Sequence, residues 1–165
     1  MTALAELPAA GGSVVLRRAV AEDVPTIVDL LAADELGANR DRIVTEDDHR
    51  TYLAAFHQID ADQAHLLLVA TEDSHVVATM QLTFLPGLAR RAALRAQIEA
   101  VRVRSDFRSR GLGSALLEWA IAEAGRRGCA LVQLSSDKSR AQAHRFYERF
   151  GFVASHEGFK LMLPR

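Results

Sequence analysis

Hydrophobic and polar positions along this chain follow two rhythms, and the switches between them mark out its elements. Residues 13–19 (SVVLRRA) read as a strand, and residues 22–34 follow with Val24, Ile27, Val28, Leu30 and Leu31 at helical spacing. Pro25 suits the first turn of that helix. Thr45 before Glu46, Asp47 and Asp48 reads as an N-cap with acidic residues at the positive end of a helix dipole, predicting a second helix to about Ile59. HLLLVA at 65–70 and HVVATMQLTFL at 75–85, separated by a short turn, predict a hairpin. After the basic connection LARRAALRAQ, residues 98–104 (IEAVRVR) alternate cleanly as a strand. Residues 112–127 are amphipathic at helical spacing, with Glu123 and Arg127 as a solvent-side pair and Gly128 as the stop. A strand at 130–135, a helix at 139–150 with Ala143, Phe146, Tyr147 and Phe150 on one stripe, and one or two closing strands within 152–163 complete the reading.

The order βααβββαβαβ(β) predicts an α/β (α+β) fold in one domain, a mixed sheet of about six or seven strands with about four helices. Its 165 residues and 49% hydrophobic content suit one core over 13–165, with 1–12 expected as a flexible leader. Glu6 and Pro8 interrupt that leader and no basic segment opens it, so it does not read as a signal peptide. A net charge of −1 offers no global field for nucleic acid or an anionic membrane, and no apolar run is long enough to span one. The single cysteine, Cys129, excludes an internal disulfide and a cysteine-built zinc site, and suits a cytoplasmic location. Without paired His, Asp or Glu spacing, no metal is expected.

The chemistry concentrates in residues 106–120, DFRSRGLGSALLEWA, where a glycine turn opens a helix beside two arginines. Unpaired N–H groups at a helix N-terminus, with Arg108 and Arg110 adjacent, make a cradle for a di- or triphosphate. The Gly-x-x-x-x-Gly-Lys-Ser/Thr string of a P-loop is absent, and a dinucleotide fingerprint counted from Gly111 meets Leu116 where Gly or Ala is needed.

Arg108-Ser109-Arg110-Gly111-Leu112-Gly113 resembles the Gln/Arg-x-x-Gly-x-Gly/Ala signature of the GCN5-related N-acetyltransferase (GNAT) family, and Phe146-Tyr147-Glu148-Arg149-Phe150-Gly151-Phe152 resembles its Phe-Tyr-x-x-x-Gly-Phe motif. The element order is similar from Val14 to about Leu163. The resemblance implies a GNAT-like fold and acetyl-CoA as cosubstrate, with Arg108, Ser109, Arg110, Gly111, Leu112, Gly113 and Ser114 at its pyrophosphate. By the same resemblance, Val101 and Val103 lie along the pantetheine arm. Arg140 stands where many members have an asparagine, and is expected to face solvent.

Acetyl transfer to an amine needs a base, an oxyanion donor and a proton for the departing thiolate. Glu99 shares strand parity with Val101 and Val103, so alternation predicts a carboxylate on their apolar face, raised toward a useful base by desolvation. The resemblance gives Tyr147 the role of protonating or hydrogen-bonding the sulfur, and the backbone N–H groups of the Val101 and Val103 strand are candidates for the oxyanion. His144 is the lesser proton-shuttle candidate, and Cys129 reads as a small buried hydrophobe.

The expected activity is N-acetylation of a primary amine, of a small molecule by default, by direct attack in a ternary complex. The acceptor side is sought at Glu46, Asp47 and Asp48, or at Arg90, Arg91 and Arg95. Two alternatives stand beside it: a non-catalytic acyl-CoA-binding sensor, which would need neither Glu99 nor Tyr147, and a Rossmann-like nucleotide module. No nucleic-acid or membrane partner is expected. The family often forms homodimers, and the final segment offers a sheet edge that could pair across a two-fold axis.

Overall fold

The computed structural model of the chain describes residues 2–9, 11–33, 38 and 41–163. Six strands lie in sequence order across one sheet: β1 (Ala3–Ala9), β2 (Gly12–Arg18), β3 (His65–Glu72), β4 (His75–Leu85), β5 (Arg95–Val103) and β6 (Leu131–Leu134). Neighbours are antiparallel from β1 through β5, and β5 and β6 are parallel. This mixed sheet removes the Rossmann-like alternative, which needs a doubly wound parallel sheet. The helices are α1 (Val24–Ala32), α2 (Glu46–Ala61), the four-residue α3 (Ala89–Ala92), α4 (Leu112–Arg126) and α5 (Ala141–Arg149).

Several elements depart from the sequence reading. Ala3–Ala9 is a strand paired with β2, where a flexible leader was expected over 1–12; Met1 and Ala10 lie outside the described residues. Its composition hides it, because Pro8 and Glu6 weigh against a strand, yet an edge strand tolerates proline and Leu7 still reaches the core at 5% exposure. Conversely, residues 152–163, expected as closing strands, adopt no regular secondary structure. The helix read over 22–34 begins as a 3₁₀ turn at Ala21–Asp23 and runs as α1 to Ala32, while Asp34 lies outside the described residues.

The sheet carries apolar side chains on both faces. One face, with Leu16, Leu68, Met80, Leu82 and Ile98, packs on Leu112, Leu116, Leu117 and Ala120 of α4. The other, with Val69 and Val76, packs on Val24, Ile27, Val28 and Leu30 of α1 and Phe56 of α2. Asp23 fixes how β2 turns into α1. Its carboxylate accepts from Arg17 Nη1 at 2.6 Å and Nη2 at 2.9 Å, and from the Val20 N–H at 2.8 Å. Thr45 and Asp48 form a reciprocal capping box at the start of α2. At the β3–β4 turn, Asp73 and Ser74 both have positive φ, the geometry of the tight hairpin read from sequence.

Candidate active site

The site begins with an extra residue in β5. Thr79 pairs with Arg102 and Gln81 with Glu99, so Met80 alone faces Ala100 and Val101, and Ala100 has a φ of 55°. This is a β-bulge, and it reverses the inward and outward sense of every side chain after it. Ile98 opposite Leu82 and Val103 opposite Ala78 therefore lie on the same α4-side face. Val101 and Val103 both pack against that core. Glu99 lies with its partner Gln81 on the opposite face, and it is exposed. The expectation that Glu99 shares the apolar face of Val101 and Val103 is thus corrected, and so is the desolvation argued from it.

The pairing of β5 with β6 stops at Ile98 opposite Leu134, while β5 continues to Val103. Beyond that point the two parallel strands part, and the β6-facing edge of residues 99–103 has no strand partner. Side chains reach its carbonyls instead: Arg102 Nη1 donates to the Val101 oxygen at 2.9 Å, and Arg108 Nε to the Val103 oxygen at 3.3 Å. An extended ligand with amide groups would find hydrogen-bonding backbone along this edge.

From Val103 the chain turns through Ser105–Phe107 into α4. Phe107 is buried to 2% exposure, and the guanidiniums of Arg104 and Arg110 each lie 4.8 Å from its ring centroid. Asp106 holds Arg104 through two hydrogen bonds, at 2.7 and 2.9 Å. Ser109 (φ 62°) and Gly111 (φ 82°) then bend the chain in the left-handed region, and no side chain caps the helix that follows. A glycine suits that conformation at Gly111. The first N–H groups of α4 thus open onto a loop where Arg108, Ser109, Arg110 and Gly111 are exposed. Leu112 has its side chain in the core at 1% exposure, so only its backbone faces this loop. A Cβ on Gly113 would lie 3.9 Å from Phe146 Cζ and 4.0 Å from Val103 Cγ2, so the helix start, the end of β5 and α5 converge there. Ser114 lies half-buried one residue on.

On the α5 side, Tyr147 is half-buried, edge-on to Phe146 at 5.3 Å and to Phe152 at 5.9 Å between centroids. Burial pushes its phenol above the usual tyrosine range, opposed by the positive charges of Arg140 and Arg102. The hydroxyl therefore keeps its proton through neutral pH. Arg140, expected to face solvent, is instead half-buried, and its charge and that of Arg102 both bear on this phenol. His144 is tied down structurally, its Nε2–H donating to the Asp137 carbonyl at 2.8 Å. Burial raises the Cys129 thiol and so keeps it protonated, which agrees with a packing role. Ser136, just past β6, has a buried hydroxyl without a hydrogen-bond partner.

Other candidates do not join this cluster. Asp48 caps α2, Asp47 pairs with Arg50 at 3.0 Å, and Glu46 lies 3.7 Å from His49, so the acidic run organises the helix start. Arg90 and Arg91 are exposed on α3, with positive φ. Among the described residues, no group of three or more His, Cys, Asp or Glu is placed to hold a metal, and no helix is long and apolar enough to cross a membrane. Two shallow surface clefts of about 430 and 410 Å³, lined in part by Arg18 and Asp60, contain none of the residues above. The parted strands are the better candidate, because backbone donors and acceptors converge there.

The sequence model of the Acetyltransferase (GNAT) family matches residues 27–152, more than half of the chain. The chain belongs to the GNAT acetyltransferase family. A Bacillus halodurans C-125 protein described as a transcriptional regulator is 43% identical in sequence, with a TM-score of 0.86 over 91% of this chain and 99% of that one. A candidate acetyltransferase of Agrobacterium tumefaciens str. C58 is 31% identical, with a TM-score of 0.77 over 90% and 99%. The aminoalkylphosphonate N-acetyltransferase of Salmonella typhimurium (strain LT2) is 41% identical over 63 residues, 38% of this chain and 41% of that protein. The chain thus matches well under two thirds of that GNAT relative's length. The fold and both motifs read from the sequence agree with this membership, and the GNAT assignment supports an acyltransferase.

Proposed function

We propose that this chain is an acetyl-CoA-dependent N-acetyltransferase acting on the primary amine of a small molecule, by direct attack in a ternary complex. The observation that carries the reading is the parting of β5 from β6 beyond Ile98 and Leu134, with the uncapped start of α4 and Tyr147 beside the opening. The residues fit the cosubstrate. The edge of Val101 and Val103 offers amide partners to an extended arm. The N–H groups of residues 111–114, with Arg108, Ser109 and Arg110, offer donors and charge to a pyrophosphate. The lone Ser136 hydroxyl is an additional unpaired polar group near the end of β6.

Acetyl-CoA, when bound, supplies an acyl group activated as a thioester. Backbone N–H groups of the strand past the bulge donate to the acyl oxygen as negative charge develops on it. The Tyr147 hydroxyl, kept protonated by its burial, holds a proton for the departing sulfur. Glu99, exposed on the opposite face of β5, accepts the amine's proton through water, since its route is solvent and not the apolar face. The aminoalkylphosphonate acetyltransferase relative favours a small-molecule amine as acceptor. The single thiol suits a reducing, cytoplasmic setting.

A panel of small amines with acetyl-CoA, followed by release of free thiol, tests the reading. Amine-dependent thiol release is expected, and Glu99→Gln should lower kcat most at low pH, where most of the amine carries a proton. Calorimetry showing no binding of CoA or acetyl-CoA would overturn the reading.

A further inference from the structure

The sheet face that carries Glu99 changes character from row to row. In β3, Val69 and Leu67 pack against α1 and α2. Past that apolar cover, the row of Leu67 continues through Gln81 to Glu99, and the neighbouring row runs His65, Thr83, Gln97 and Gln133. His65 and Thr83 satisfy each other, with Nδ1 3.0 Å from Oγ1. Gln97 and Gln133 form a second pair, Gln133 Nε2–H donating to Gln97 Oε1 at 2.7 Å, beside the Ile98 and Leu134 rung where strand pairing ends.

Both glutamines are half-buried, and each spends only one polar atom on the other. Gln97 Nε2 keeps its N–H groups, and Gln133 Oε1 keeps its lone pairs. Turning both amides over exchanges these atoms and leaves the same outcome, one donor and one acceptor side by side. An alkyl group seated there would strip both of water without replacing their hydrogen bonds, and a carboxylate or phosphonate would set its negative oxygens against the acceptor. A carboxamide answers both atoms at once.

Glu99 stands two residues along β5 from Gln97, roughly 7 Å away. Resting on the reading in which Glu99 takes the amine's proton through water, we propose that Gln97 and Gln133 select the acceptor. It is a small primary amine bearing a carboxamide or peptide group about five or six bonds from its nitrogen. Because the pair is neutral, it discriminates by hydrogen bonds and not by charge. A site built to hydrogen-bond a group rejects the analogue that lacks it more strongly than an apolar pocket rejects a misfit.

Thiol release with γ-aminobutyramide is compared with its apolar isostere isohexylamine, with γ-aminobutyrate and with aminopropylphosphonate. The kcat/KM for the amide should exceed each of the others by roughly tenfold or more. Gln133→Leu should bring the ratio of amide to isostere close to unity, whereas a role confined to joining β5 to β6 would slow both amines alike and leave the ratio. Gln97→Glu still offers an oxygen to Gln133 but turns the outward donor into a charge, so it should raise putrescine relative to the amide. Equal kcat/KM for amide and isostere, a phosphonate or a lysine-containing peptide preferred to the amide, or ratios unchanged in both variants would overturn the proposal and leave the acetyltransferase reading standing. Calorimetry on the full chain saturated with CoA reads the same preference without turnover. Tighter binding of the amide than of its isostere, with no thiol release from any amine, would uphold the selection and remove the activity; absence of both would remove the two together.

Discussion

The sheet from β2 to β4 and the region from β5 to α5 are built to opposite specifications. In the first, Leu16, Leu68, Met80 and Leu82 are fully buried, both faces are covered, and the buried ion pair of Arg17 with Asp23 has its charges and hydrogen bonds satisfied together. In the second, a bulge breaks the alternation, the parallel strands part, Glu99, Arg108 and Arg110 are exposed, and the rings of Phe146, Tyr147 and Phe150 are half-covered. The first region holds the architecture. The second leaves backbone groups and a tyrosine available, at the expense of packing, which is what a binding site requires.

This contrast can be tested from its largest expected effect downward. Asp23→Ala should destabilise the fold by about 3–5 kcal/mol in chemical denaturation, because it strands the Arg17 charge in a buried place. Asp106→Ala, which breaks the exposed and solvent-screened pair with Arg104, should cost far less. Equal losses from the two would show that the regions do not differ in this way. Next, Tyr147→Phe should lower kcat roughly 100-fold or more with acetyl-CoA affinity retained. Because burial raises the phenol, the parent enzyme's kcat should fall only above the usual tyrosine range, and that alkaline limb should vanish in the variant. An unchanged pH profile would remove Tyr147 from proton transfer.

Gly113→Ala separates folding from binding within the second region. The added methyl meets nothing closer than 3.9 Å and gains about 1 kcal/mol of helix propensity, so the melting temperature should hold or rise. If the pyrophosphate approaches the backbone there, CoA affinity measured by calorimetry should fall roughly tenfold, about 1.4 kcal/mol. Unchanged affinity would move the anion elsewhere on the loop. The smallest effect is expected at Asp48, whose pKa is lowered chiefly by the N–H groups of Thr45 and Val44. The cap's contribution is present above the unfolded aspartate pKa and is lost as pH falls through the lowered folded value. An acid titration of stability in Asp48→Asn should lack this component.

The strands and helices of the first region are legible because burial on a regular element writes its period into the sequence. Val24, Ile27, Val28 and Leu30 mark α1, and His65–Glu72 with His75–Leu85 mark the hairpin. The two motifs are legible for a different reason: each sits on a strand-to-helix junction or a helix, where chemistry and local geometry coincide. Glu99 was misplaced because parity counting assumes one residue per step, and the left-handed Ala100 adds a step that no residue type announces. The joint influence of the Arg102 and Arg140 charges on Tyr147 escaped because it couples β5 to the start of α5, far apart in sequence.

By itself, then, the sequence determined most of the elements from β2 to α5 and the apolar stripes of α1 and α4, which follow from local periodicity. Tertiary structure alone decided which face Glu99 occupies, where β5 leaves β6, and that residues 152–163 find no place in their own sheet. Each of these depends on register between strands, and register is a property of the pair and not of either strand.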